Sequence, residues 1–134
     1  MTNDSAKKYV FDQGIPGFEH LRVFIFEDIE DIGEELPLKV MRSEEDEHVS
    51  FIVANPFIYY PEYEWDLSES AKLEMEIETE SELEVWAIMT LRESIQDSTI
   101  NLQAPVLLNN ANHRGRQLIL QNSPFGTRAP VIRP

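Results

Sequence analysis

The side chains that could carry chemistry in this 134-residue sequence are three histidines, scattered serines and a surplus of carboxylates. His20, His48 and His113 stand far apart, and no two of them have a metal-ligand spacing. His48 follows Glu44, Glu45, Asp46 and Glu47, which could offer oxygen ligands to a divalent ion. Adjacent residues rarely converge on one centre, so a solvated acidic turn accounts for them better. Ser43, Ser50, Ser98 and Ser123 lack a G-x-S-x-G elbow. The GIPG of residues 14–17 is neither a Walker loop nor a dinucleotide fingerprint. Carboxylates are so abundant that no pair of them singles out an acid–base site. With no cysteine, disulfides, thiolate metal sites and thiol nucleophiles are excluded. The expectation is a protein without catalytic, cofactor or metal site, acting by binding.

The elements that would position a binding surface are short. A hydrophobic content of 42% and one ordinary domain's length predict a single folded unit over 1–134, with 1–7 flexible and 122–134 a tail. The start has no apolar signal-peptide core, and no apolar run reaches bilayer length, so a cytoplasmic protein without membrane contact is expected. Strand patterns fall at 8–12, 21–27, 36–42, 48–54, 83–91, 98–103 and 116–121, spaced by turn signals, as in an all-β barrel or sandwich. Pro105 predicts an edge or bulged strand at 104–109. Residues 68–78 stay open. Leu73, Met75 and Ile77 alternate with glutamates as in a strand, whereas Ser68 and the run ESAKLEME suit a capped helix to about residue 75.

The net charge of −14 is unevenly placed, all 25 acidic residues lying at or before Asp97. Such a surface repels nucleic acid and anionic lipid and suits a basic protein partner, or serves solubility alone. Two groups could form an acidic face. One is the turn Glu44, Glu45, Asp46 and Glu47; the other is Glu74, Glu76, Glu78, Glu80, Glu82 and Glu84 along the alternating segment. The apolar counterpart is FIVANPFIYYPEY at 51–63, where Phe57, Ile58, Tyr59 and Tyr60 crowd beyond the strand-breaking Asn55-Pro56. Either they receive a partner or they close the end of a barrel core.

GIPGFE at 14–19 (Gly14 and Gly17 bracketing Pro16), F-x-x-x-NPF at 51–57, Tyr63, TINLQAP at 99–105 (with Asn101 and Pro105) and GRQLIL at 115–120 form an ordered set. In this order and spacing the chain resembles the FliW family of bacterial flagellar assembly factors from about Tyr9 to Arg128. The resemblance implies a mainly β, small antiparallel β-barrel-like domain with at most one or two short helices, and no enzymatic activity. It also implies two partners: flagellin, held before export through its C-terminal helical segment, and the CsrA dimer, a translational repressor antagonised allosterically. Phe57, Ile58, Tyr59, Tyr60 and the acidic turn Glu44–Glu47 are then candidate partner-binding residues. Gly14, Gly17, Asn55, Pro56, Asn101 and Pro105 are candidate architectural ones. The alternative from another class is a generic acidic β-barrel domain that inhibits a basic, nucleic-acid-binding protein. It explains the charge but not the ordered motifs.

Overall fold

Period-two burial organises the first half of the chain. In strands β1 (Lys7–Val10) and β2 (Val23–Asp28), Tyr9, Phe24 and Phe26 turn inward while their neighbours face outward. β3 (Leu38–Ser43) and β4 (Ser50–Ala54) continue an antiparallel meander in which Tyr9 pairs with Phe24, Phe26 with Met41 and Val40 with Ile52. A one-turn helix α1 (Pro56–Tyr59) and a short helix α2 (Glu69–Glu74) lead to the long strand β5 (Leu83–Thr90). After a 3₁₀ turn at Ile95–Asp97 come β6 (Thr99–Ile100), β7 (Val106–Asn109), β8 (Arg114–Gln117) and β9 (Ala129–Pro130). The computed structural model describes residues 7–28, 38–65, 67–79, 82–90, 92–120 and 124–131.

The strands follow one another as β4-β3-β2-β1-β8-β7-β5, and β5 returns to β4 through Ala54↔Ala87 and Val53↔Ile88. Seven strands thus close a barrel, the arrangement that removes free sheet edges. β6 and β9 extend the sheet from the end of β5. The mainly antiparallel β-barrel with two short helices agrees with the fold expected from the sequence. One pairing is parallel: β1 meets β8 only at Val10↔Arg114. The core falls into two clusters. Tyr9, Phe11, Phe24, Phe26, Met41 and Val106 pack in one; Tyr60, Tyr63, Met89, Ile100, Leu102 and Val131 pack in the other.

Several boundaries differ from the sequence expectation. The open segment 68–78 is helical first. Ser68 Oγ accepts the Ala71 N–H at 3.2 Å, and α2 buries Ala71 with Met75 just beyond it, one turn apart. Leu73, which alternation would bury, is 78% exposed. Glu76 then takes a left-handed φ of 55° and ends the turn. The glutamates of this stretch therefore do not line one strand face. Glu74 pairs with Arg116, and Glu84 turns toward Asn110 and Trp86; Glu80 lies outside the described residues. The strand expected at 116–121 begins at Arg114, because Asn109, Asn112 and a left-handed His113 (φ 55°) complete the turn sooner. Nor is β7 an edge strand. It lies between β5 and β8, and Pro105 sits one residue before it, just outside the β7 strand. The third strand starts at Leu38, its expected Leu36–Pro37 start falling outside the described residues, as do 1–6, 29–35 and parts of the tail. Within that tail, Ala129–Pro130 pairs with β6 and Val131 is buried.

Gly115 in β8 lies against the Phe11 ring, and a Cβ there would sit 2.4 Å from the ring carbons. Phe11 is fully buried and cannot withdraw. Gly115→Ala is expected to destabilise by about 1–3 kcal/mol through overpacking. Denaturant unfolding checks this, with Gly126→Ala, which would meet nothing within 4 Å, as the neutral comparison.

Candidate functional site

Asn55 and Pro56 start α1 in the way their chemistry allows. The Asn55 side chain accepts the Phe57 N–H at 3.0 Å, and proline occupies the first turn, where its missing N–H is no loss. The four residues named beyond this break are not buried alike. Phe57 and Ile58 are 41% and 50% exposed. Tyr60 is buried, and its hydroxyl donates to the Pro130 carbonyl at 2.5 Å. Tyr63 is buried too, donating to the Leu102 carbonyl at 2.7 Å, and burial raises its pKa. Tyr59 is half-buried; its hydroxyl finds no partner among the described residues, and burial pushes its pKa up as well. So the stretch is divided: Tyr60 and Tyr63 lock α1 to the barrel, while Phe57 and Ile58 are presented outward.

Phe57 does not stand alone. Its ring lies 5.6 Å from that of Tyr63, which meets Phe125 edge-on at 4.9 Å. From Phe57 a groove of about 520 Å³ runs past Trp65, Leu67, Ile77, Leu83 and Val85, with Lys72 and Glu64 as its charged groups. An apolar trough with a rigid aromatic at one end can receive the apolar stripe of a helix. Trp65, Leu67 and Ile77 were not among the residues nominated from sequence. The signal available was their apolar character just after the tyrosine cluster, but they meet only through the turn of α2.

The acidic turn is more ordered than a solvated loop. Ser43 Oγ accepts the Glu45 and Asp46 N–H groups, and Asp46 accepts the His48 N–H. Glu44 pairs with Lys8 at 2.6 Å. One oxygen of Glu45 accepts the Arg22 and Val23 N–H groups, both at 2.7 Å, at the start of β2. Those two backbone bonds, Val23's first, hold the Glu45 carboxyl below the ordinary carboxylate range. Glu47 is 90% exposed on its side chain, 3.9 Å from His48. Hydrogen bonding leaves the charges in place, so the turn remains a concentrated negative patch.

The turn residues each have local work. Gly14 (φ 65°) and Gly17 (φ 90°) hold left-handed backbone, and a Cβ on Gly14 would come within 2.6 Å of the Glu19 backbone. Asn101 donates its N–H to the Ile88 carbonyl, and its side chain accepts the N–H groups of Gln103 and Ala104, each at 3.1 Å. The Pro105 carbonyl accepts from Leu118. A polar chain also crosses the barrel wall. The Tyr9 hydroxyl donates to Asn110, whose amide donates to Glu84, which accepts the Trp86 indole N–H at 2.9 Å. Burial, with Glu84 adding to it, pushes the Tyr9 hydroxyl up to about 12.

The chain matches the FliW protein family over residues 1–131. It belongs to the FliW family. Among its relatives, the flagellar assembly factor FliW of Bacillus licheniformis is 37% identical over 122 residues, covering 91% of this chain and 83% of that protein. The flagellar assembly factor FliW of Alkaliphilus metalliredigens is 35% identical, covering 91% of this chain and 74% of its own. A crystal structure of the flagellar assembly factor FliW superposes with a TM-score of 0.84 at 29% identity, covering 99% of this chain and 89% of that one. FliW membership makes this chain a flagellar assembly factor.

The Glu45 geometry predicts a pH dependence. A depressed folded-state pKa adds stability that is complete above the unfolded carboxylate value and is lost as pH falls through the folded value. Glu45→Gln, keeping the shape but not the charge, is expected to melt below wild type at neutral pH. The two melting curves should converge on acidification past the lowered Glu45 value. A gap that stays constant with pH contradicts the assignment.

Proposed function

We propose that this chain acts in the cytoplasm as a two-partner regulator of flagellin. It holds flagellin before export by the C-terminal helical segment, and when flagellin leaves it antagonises the CsrA dimer. The observation that carries this is the outward pair Phe57 and Ile58 on a helix locked from beneath by Tyr60 and Tyr63. Exposed apolar side chains cost solubility, and a fixed pair beside a trough suits a helical partner whose stripe covers it. Because α1 is already ordered, little conformational entropy remains to be lost on binding.

CsrA suits the negative patch instead. An RNA-binding protein carries a basic surface, and the acidic turn would accelerate encounter more than it tightens the docked complex. Docked nearby, the same field disfavours RNA without covering its site, which makes the antagonism allosteric. The generic acidic inhibitor shares this charge argument but gives no reason for the rigid apolar pair.

Calorimetry against the flagellin C-terminal segment tests the first partner. Phe57→Ala with Ile58→Ala is expected to weaken binding at least about thirtyfold, as for loss of a hot-spot anchor worth about 2 kcal/mol, with melting unchanged. Tyr60→Ala should instead lower the melting temperature. Unchanged affinity in the double variant rejects this surface. For CsrA, stopped-flow association should slow markedly between low and physiological salt, where the screening length falls to about 8 Å. Flagellin association should change much less, and equal salt slopes for the two partners reject the division of labour.

A further inference from the structure

The chain beyond β8 keeps its pairing on one side only. Leu118 and Leu120 donate their N–H groups to the carbonyls of Pro105 and Gln103 at 2.9 and 2.8 Å, continuing the register set by Val106↔Gln117. The return bonds are missing for chemical reasons. Pro105 has no N–H, and that of Gln103 is taken by the Asn101 side chain. In an extended chain successive N–H groups point to opposite sides. Those of Leu118 and Leu120 reach toward 103–105, so that of Ile119 points away. The Ile119 backbone groups have no hydrogen-bond partner among the described residues, and its side chain is 54% exposed.

On that open side β1 has already departed, having met β8 at Val10↔Arg114 alone. A groove of about 910 Å³ is lined by Gly14, Pro16, Trp65 and Ala71 together with Leu118–Leu120. Its carboxylates are Glu19 and Glu64, whereas Arg116, the cation among its described lining residues, already pairs with Glu74. Residues of GIPGFE and GRQLIL therefore line one cleft, with Trp65 and Ala71 among its apolar groups, Glu19 and Glu64 as its carboxylates and an unpaired main-chain edge at Ile119.

We propose that Leu118–Leu120 is a strand-addition edge that takes one extended segment of a basic partner protein. The segment would bond to the Ile119 N–H and carbonyl, place alternate apolar side chains against lining residues such as Trp65 and Ala71, and set a lysine or arginine against Glu19 and Glu64. A helix cannot serve here, because its own backbone groups are consumed internally. A second copy of this chain is disfavoured by its net charge of −14. The site does not depend on the roles given to Phe57 and Ile58, although Trp65 and Glu64 border both grooves.

The test titrates the ¹⁵N-labelled full chain with the blocked heptapeptide K-V-T-V-T-I-R. Amide shifts are expected at Gln117–Leu120 and Gly14–Gly17. Ile119→Pro removes the outward N–H while leaving the Leu118 and Leu120 bonds, and should weaken binding about tenfold. Ile119→Ala keeps the N–H and should lose no more than about threefold by the same reasoning. Two N-methylated peptides, blocked at odd or at even residues, decide the matter on the unaltered protein should Ile119→Pro fail to fold: one set loses binding and the other retains it. A peptide with glutamate for its basic residues should bind more weakly, the difference shrinking with salt. Shifts absent at millimolar peptide, shifts centred elsewhere, or equal losses from both N-methyl sets overturn the proposal. So do concentration-dependent shifts at the same amides without peptide, which would make the edge a self-association site.

Discussion

Strand β5 must satisfy three neighbours at once, and the rest of the structure is arranged around how it does so. Leu83–Trp86 pair with β7, Ala87–Met89 pair with β4, and Met89–Thr90 pair with β6. The β4 contact closes the barrel. β6 and β7 are consecutive in sequence yet run along the same strand, so the chain between them must bulge out and return. Asn101 makes the bulge possible: its N–H stays on β5 at Ile88 while its side chain takes the two N–H groups that the bulge strips of partners. An unpaired buried N–H would cost about 1–3 kcal/mol. One amide oxygen therefore allows a continuous edge to carry two strands.

The same bulge has a consequence on its far side. By occupying the Gln103 N–H, and with Pro105 lacking one, it leaves Leu118–Leu120 held by half a ladder. On the other side of the same segment, β1 pairs with β8 only at Val10↔Arg114, and a cleft lies between the GIPGFE turn and Leu118–Leu120.

Carboxylates in this chain are structural acceptors as well as surface charge. Glu45 caps the start of β2, Glu84 terminates a chain of hydrogen bonds from Tyr9, and Glu74 holds Arg116 at the mouth of the cleft. That reconciles a net charge of −14 with a closed barrel, since part of the self-repulsion is offset locally by N–H dipoles and paired cations.

The sequence by itself determined roughly where the strands fall, because apolar runs bounded by turn residues are local signals, but in the run Val23-Phe24-Ile25-Phe26 it left open which face turns inward. It also determined the break at Asn55-Pro56, which the fold turns into the cap of α1, and the tight turn at Gly14 and Gly17. Only the tertiary structure decided what depended on distant neighbours. Period two ran through Leu73, Met75 and Ile77, yet α2 formed there, because Ser68 caps it and Ala71 with Met75 supplies its buried face. The sequence could assemble Phe57, Ile58, Tyr59 and Tyr60 in one run, but it could not separate them. Tyr60 and Tyr63 are claimed by the Pro130 and Leu102 carbonyls, 70 and 39 residues away. Phe57, its ring tilted against that of Tyr63, and Ile58 are left exposed to solvent, because no later segment among the described residues covers them. Exposure is a property of what the remainder of the chain covers, and no local pattern encodes it.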